Sequence, residues 1–146
     1  MVKLKAEGVE GKLWMWLKDW LSGRYQRVVV NGKVSEWALA ESGVPQGTVL
    51  GGPLFTAYVK DINEWIRAFL RKFADDTKAA AIVNNQVDAD RFQKDIDGLL
   101  AWAESWVMEF NQAKCKIMHL GRNNSRFKYK IGEVEQAETR SGRFDA

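Results

Sequence analysis

The patterning of the chain predicts an α+β fold, with mainly antiparallel strands packed on helices. Three observations carry that expectation. Apolar residues recur at helical spacing in three separate stretches, short β-branched or alternating runs lie between them, and tight turns join the strands in pairs.

Over residues 9–22, Val9, Leu13, Trp16, Leu17, Trp20 and Leu21 share one helical face, and Gly23 is a natural stop. Residues 25–30 then read as a strand with Val28-Val29-Val30 at its end. Asn31-Gly32 is the strongest short hairpin signal in the chain, and 33–39 is the returning strand. Residues 41–53 hold four glycines and both prolines of the protein, which reads as a loop whose backbone can approach a ligand closely. No Gly-Lys-Ser/Thr follows, so the loop is not a Walker-type phosphate cradle. Pro53 suits the first turn of a helix over 54–69, with Leu54, Tyr58, Ile62, Trp65, Ile66 and Phe69 on its apolar face.

Next comes Asp75-Asp76, flanked by Leu70 and Phe73 on one side and by Ala79 to Val83 on the other. Apolar flanks around a short polar centre predict a hairpin. An Asp-Asp dipeptide is by itself more often a solvated turn. Held at the tip of a buried hairpin, however, two carboxylates need a positive partner, and hard divalent cations take carboxylate oxygens.

Asp88 is a plausible N-cap for a helix reaching about residue 110, with Phe92, Ile96, Leu99, Leu100, Ala103, Trp106, Val107 and Phe110 as its buried stripe. Residues 114–120 and 126–131 read as strands around a turn-rich link. In the second, Arg126, Lys128 and Lys130 alternate with Phe127, Tyr129 and Ile131. From 133 onward the chain turns polar without periodicity, which predicts a disordered tail over 133–146.

At 146 residues, with 46% apolar residues and seven tryptophans, the chain has the makings of one folded domain. A single cysteine, Cys115, excludes an internal disulfide framework, and the first residues lack a signal peptide's apolar core. No apolar run approaches the roughly 20 residues of a membrane span. The expectation is an intracellular protein without a membrane partner, nucleus and cytoplasm being indistinguishable. The net charge of +3 hides an asymmetry: six of the 22 basic residues (Lys114, Lys116, Arg122, Arg126, Lys128, Lys130) fall between Phe110 and Gly132, where there is no acid. The other 16 stand against 19 acidic residues, a balance of −3. Such a segment suits a polyanion, or a solvated strand pair.

Taken together and in order, these segments resemble the reverse transcriptases of non-LTR (LINE-type) retrotransposons, over about residues 9–132. The matching stretches are 23–32, then Ser42-Gly-Val-Pro-Gln-Gly47 with Val49-Leu50-Gly51 and Pro53-Leu54-Phe55. They continue with Phe73-Ala-Asp-Asp76 and Thr77-Lys78, then Trp102, Phe110-Asn111 and Lys114-Cys-Lys116, and finally His119-Leu-Gly121. Either motif alone is weak; both at this spacing are specific.

The resemblance implies part of a right-hand polymerase palm in a partial domain over 1–132. It makes Asp75 and Asp76 metal ligands and catalytic residues, with Lys114 neutralising or protonating the leaving pyrophosphate and Lys116 as the alternative. Ser42, Gly43, Pro45, Gln46 and Gly47 would meet template and nucleotide, and His119, Leu120 and Gly121 would open the primer-grip hairpin. Lys116, Arg122, Arg126, Lys128 and Lys130 would meet nucleic-acid backbone. RNA template, DNA primer, dNTP and two Mg²⁺ ions are the implied partners and cofactors.

The departures count as well. The family takes a third carboxylate from an Asp-x-x-x-Ala-Phe-Asp type segment, and residues 1–10 contain none. The fingers strands and most of the thumb are missing, Gly52 interrupts a stretch that usually runs straight into proline, and 134–146 no longer follow the family. The implied enzyme is therefore inactive alone. The alternative is a non-catalytic nucleic-acid-binding remnant using strands 114–130. A metal or Ser-His-Asp hydrolase lacks support, since His119 is the lone histidine.

Overall fold

The computed structural model describes residues 1–139, and the chain divides into two compact units, Met1–Lys60 and the residues from Asp61 onward. The α+β expectation holds. Among the described residues there are four α-helices and five two-stranded ladders, all antiparallel but one.

The first unit opens with a short helix that periodicity did not indicate, α1 (Val2–Ala6), then α2 (Gly11–Leu21). The helix expected over 9–22 is shorter at its start, and Gly23 stops it at φ +59° as expected. Leu4 and Leu17 are the buried members of the two helices. The Lys5 and Lys18 ammoniums lie 4.6 and 5.4 Å from the Trp14 ring, and Trp16 stacks on Trp20 at 5.9 Å.

Four short strands follow: β1 (Tyr25–Gln26) pairs with β4 (Ala38–Leu39), and β2 (Val29–Val30) with β3 (Lys33–Val34). Asn31 and Gly32 both take positive φ, +50° and +76°, as a two-residue primed turn requires. The two expected long strands are each interrupted, because 27–28 on one side face 35–37 on the other. The return strand therefore carries one extra residue, a bulge. Ser35 holds it together: its hydroxyl oxygen accepts the Val28 N–H at 2.9 Å, and its own N–H donates to the Val28 carbonyl.

Helix α3 (Gly51–Tyr58) ends well before the residue 69 that the apolar spacing suggested. A 3₁₀-helix, Lys60–Trp65, follows it, and Phe69 already belongs to a strand. Within the first unit, Lys3 donates to the Tyr58 carbonyl at 2.6 Å and Glu7 pairs with Lys60 at 2.6 Å, tying α1 to the end of α3.

The second unit is built on α4 (Gln86–Ser105). Its N-cap is Asn85, not Asp88: the Asn85 side chain accepts the Asp88 N–H at 3.0 Å, and Asp88 reaches back to the Asn84 N–H. The helix stops at Ser105 rather than near 110, and Val107, assigned to the buried stripe, is 91% exposed at φ +53°. Ala89, Ile96, Trp102 and Ala103 are its buried residues.

Two further strand groups belong to this unit. The hairpin β5 (Phe69–Phe73) and β6 (Asp76–Ala80) is one. The other comprises β7 (Ile117–Met118), β8 (Lys130–Ile131), β9 (Val134–Glu135) and β10 (Glu138–Thr139). Tyr129 joins Ala89 and Ile96 in the core, with Val83, Phe92, Ile117, Phe127 and Ile131 around them. Phe92 meets Tyr129 edge-on at 5.1 Å. Trp102 is fully buried and its indole N–H donates to Asp61 at 3.0 Å; removing such a ring costs about 3–5 kcal/mol. The expected apolar-in, basic-out alternation over 126–131 is present, although only its last two residues form a ladder.

The segment from 133, expected as a loose tail, pairs up to Thr139 instead. β9 runs antiparallel to β8 and β10 parallel to β7. The remainder of that tail lies outside the described residues.

Candidate active site

The Asp-Asp hairpin forms as the sequence indicates, with register Phe69↔Ala80 through Phe73↔Asp76. Ala74 and Asp75 are the two-residue loop, and Asp76 is the first residue of β6. Both carboxylates are exposed. Ala74 carries φ +51°, a conformation that costs a residue with a Cβ about 1–2 kcal/mol. The loop that presents Asp75 is therefore strained at its first position. Leu70 faces inward at 9% exposure, while Phe73 stands 84% exposed beside the aspartates. The Arg71 guanidinium lies 4.2 Å from the Phe69 ring.

The root of this hairpin is fixed from α4. The Asp95 carboxylate accepts two consecutive backbone N–H groups, from Arg67 at 3.0 Å and from Ala68 at 2.8 Å. These charge-assisted bonds satisfy the donors just before β5 begins. One turn further on, a Cβ at Gly98 would lie 2.7 Å from the Trp65 carbonyl oxygen, so the helix backbone approaches the 3₁₀ segment as only glycine permits. Asp95 and Gly98 carried no motif, and sequence reading missed both.

In the first unit, the glycine-rich loop places Gly43 and Gly47 at φ +76° and +78°. Thr48 closes it by donating its hydroxyl to the Pro45 carbonyl at 2.8 Å. Arg24 clasps it: the guanidinium donates to the carbonyls of Gly43 (2.6 Å), Ser42 (3.3 Å) and Leu21 (3.0 Å). Ser42, Gln46 and Gly47 are exposed and Pro45 is half-buried. Arg24 was not singled out from sequence; its place directly after the helix-stopping Gly23 is the signal that could have found it.

Lys114 is exposed on the turn after α4, its backbone N–H donating to the Asn111 carbonyl and side chain at 3.0 and 3.3 Å. Beside it, burial pushes the half-buried Cys115 thiol up, and that thiol donates to the Asn111 carbonyl. Lys116 is exposed just before β7, His119 is half-buried, Leu120 is 67% exposed, and Gly121 turns the chain at φ +99°.

Arg122, Arg126, Lys128 and Lys130 are all exposed. Two of them meet carboxylates: Arg126 pairs with Glu138 at 3.3 Å and Lys128 with Glu135 at 2.8 Å. The hydrogen bond to Glu135 and its charge hold the Lys128 ammonium above its ordinary range. Lys128, with Lys130 adding to it, holds Glu135 below the ordinary carboxylate range. Neither acid had been assigned a role.

Asp75, Asp76, Lys114 and the basic strand thus belong to the second unit, and residues 42–47 to the first. Among the described residues, no group of three or more His, Cys, Asp or Glu side chains comes together as a metal site. The adjacent carboxylates of Asp75 and Asp76 suit a hard cation by their chemistry, and they supply only part of its coordination shell. No helix among the described residues is long and apolar enough to cross a membrane.

A family model described as reverse transcriptase (RNA-dependent DNA polymerase) matches residues 1–140. The chain is 29% identical over 116 residues to the RNA-directed DNA polymerase from mobile element jockey of Drosophila funebris, covering 71% of this chain and 12% of that protein. It is 31% identical over 107 residues to the probable RNA-directed DNA polymerase from transposon BS of Drosophila melanogaster, covering 67% and 12%. The chain spans about an eighth of the length of these curated relatives. No solved structure gives a significant match.

Proposed function

We propose, from the premise that this chain belongs to the reverse transcriptase family, that it is a palm-containing part of an RNA-directed DNA polymerase. Asp75 and Asp76 would hold divalent metal in it. The observation that carries the reading is the hairpin itself: a two-residue loop on a paired ladder sets both carboxylates at one exposed tip. Metal held there would activate a primer 3′-hydroxyl and steady the leaving pyrophosphate. Asp75 is the principal ligand and Asp76 its support.

The remaining roles fall to the chain's own side chains. Arg24 keeps the 42–47 loop in a shape that leaves Gln46 and Gly47 exposed toward template and incoming nucleotide. Lys114 is an exposed ammonium available to a pyrophosphate oxygen, with Lys116 as the alternative. His119, Leu120 and Gly121 open the primer-side turn. Lys116, Arg122, Arg126, Lys128 and Lys130 would take phosphates of RNA template or DNA primer.

Two carboxylates without a third hold metal weakly, and the chain alone does not extend a primer. The test has two parts. Mn²⁺ should broaden the amide signals of Asp75 and Asp76 at millimolar concentration in the purified chain, and Asp75→Asn should abolish that effect. Primer extension on an RNA template with Mg²⁺ should be absent; robust extension lost on Asp75→Ala would overturn the claim of incompleteness.

A further inference from the structure

Between Phe110 and Gly132 the chain has no acid, yet two of its basic side chains are ion-paired. Both acids come from the segment immediately after it, and that segment is held by its backbone. Ile131 pairs with Val134 and Lys130 with Glu135 in the β8–β9 ladder. The Gln136 N–H donates to the Tyr129 carbonyl at 3.0 Å, and the Ala137 carbonyl accepts from Ile117 at 3.1 Å. Gln136 is 8% exposed, between the two acids in sequence. The carboxylates of Glu135 and Glu138 are therefore delivered to Lys128 and Arg126 by a folded strand, independently of the ion pairs themselves.

Exposed pairs of this kind contribute little to stability. Their effect is on the field. A phosphate approaching Lys128 or Arg126 must displace a carboxylate tethered beside it, whereas one approaching Arg122 meets no ion pair among the described residues.

We propose that Glu135 and Glu138 set the nucleic-acid affinity of this strand, by occupying Lys128 and Arg126 in competition with backbone phosphates. This rests on the reading that the basic strand meets nucleic acid, and it adds the residues that limit that contact. The ligand chemistry is the phosphodiester backbone common to RNA and DNA.

The test is binding of a fluorescein-labelled oligouridylate, and of the DNA of matching length, by the whole chain between 50 and 200 mM salt. Glu135→Gln/Glu138→Gln is compared with Glu64→Gln/Glu104→Gln, which changes net charge equally at two other exposed acids. The first variant should bind about tenfold more tightly at 50 mM. Its plot of log affinity against log salt should be steeper by about 1.4, two released contacts at roughly 0.7 each on a single strand. Each single substitution should give about half that change, which keeps the test decisive if the double variant folds poorly. Equal tightening by the two double variants, with unchanged salt slope, overturns the inference and leaves the surface reading standing. If Lys128→Gln/Lys130→Gln binds as the unaltered chain does, the surface reading itself falls, and the inference with it. Parallel behaviour of the RNA and DNA probes supports a backbone contact; an effect confined to one overturns it.

Discussion

The Asp95 carboxylate accepts the backbone N–H groups of both Arg67 and Ala68, at 3.0 and 2.8 Å, and so ties the root of the aspartate hairpin to the helix beneath it. Asp75 lies seven positions on from Ala68, roughly 23 Å of extended chain at about 3.3 Å per residue. Over that lever, a tilt of about 3° at the root moves the tip by about 1 Å, a scale on which reacting groups lose alignment. Asp95→Ala should cost about 1–3 kcal/mol by urea denaturation, since the bonds are charge-assisted but one is exposed and the other only part-buried. Amide exchange should accelerate at 67–73 while the Trp102 indole signal stays put. Unchanged exchange at Ala68 would count against the anchor.

Gly98→Ala tests the same junction from the packing side. The added methyl meets a backbone carbonyl at 2.7 Å, which cannot rotate away as a side chain would. The expected loss is about 1–3 kcal/mol, larger than helix propensity alone could return by replacing glycine. A neutral or stabilising Gly98→Ala, read from the thermal midpoint, would show that the helix and the 3₁₀ segment separate easily.

At the tip, Ala74→Gly should stabilise the chain by about 0.5–1 kcal/mol. It relieves the positive-φ penalty and gives back part of the gain as unfolded-chain entropy. Ala74→Val should destabilise it by more than Ala74→Gly gains. If Ala74→Gly instead lowers the thermal midpoint, the loop does not hold the left-handed conformation in solution.

Features set by neighbours in sequence were legible, and those set across distance were not. Asn31-Gly32 could be read because both residues tolerate positive φ, and the Phe73–Asp76 hairpin because its flanks are apolar and its centre short. The apolar spacing of Tyr58, Ile62, Trp65 and Phe69 fits a continuous helix equally well. The α-helix already gives way to a 3₁₀-helix after Tyr58, and what keeps helical backbone from running on past Trp65 is tertiary: Asp95, nearly thirty positions on, claims the Arg67 and Ala68 amides for the entry to β5. The choice of Asn85 over Asp88 as N-cap was a three-residue ambiguity between two residues that both cap well. Pairing over 134–139 left no trace in periodicity, because its partners are the backbones of Ile117–Met118 and Tyr129–Ile131. In the candidate site, the motif residues were legible by type and spacing, while their supports, Arg24 and Asp95, were not.

Arg24 offers the sharpest test of such a support. Its guanidinium reaches three carbonyls on two segments, a fork that an ammonium cannot reproduce. Arg24→Lys should therefore behave nearly as Arg24→Ala does. Both should shorten the amide protection of residues 42–47 and cost about 1 kcal/mol or less overall, since two of the three contacts are solvent-exposed. Full retention of loop protection in Arg24→Lys would mean that charge alone, and not the fork, shapes the loop.

The Lys128–Glu135 pair predicts a pH window with two different edges. Glu135 is held below its ordinary 4.5, first by the hydrogen bond from Lys128 and then by its charge, so its contribution is complete above 4.5. That contribution is lost as the pH falls through the lowered value. Lys128 is held above its ordinary 10.5, so its contribution is complete below 10.5 and is lost as the pH rises through the raised value. Both groups are exposed, and the effect belongs to the strand's charge rather than to fold stability. Followed by carboxyl carbon shift, Glu135 should titrate below 4.5 in the unaltered chain and move back toward 4.5 in Lys128→Gln. The part that survives in that variant is owed to Lys130, the remaining cation acting on Glu135. Raising salt should erase that part as well, because a charge contact across solvent is screened within about 10 Å at 0.1 M. An identical midpoint in both proteins would mean the 2.8 Å contact does not persist in solution, and Lys128 would then be as open to a phosphate as Lys130.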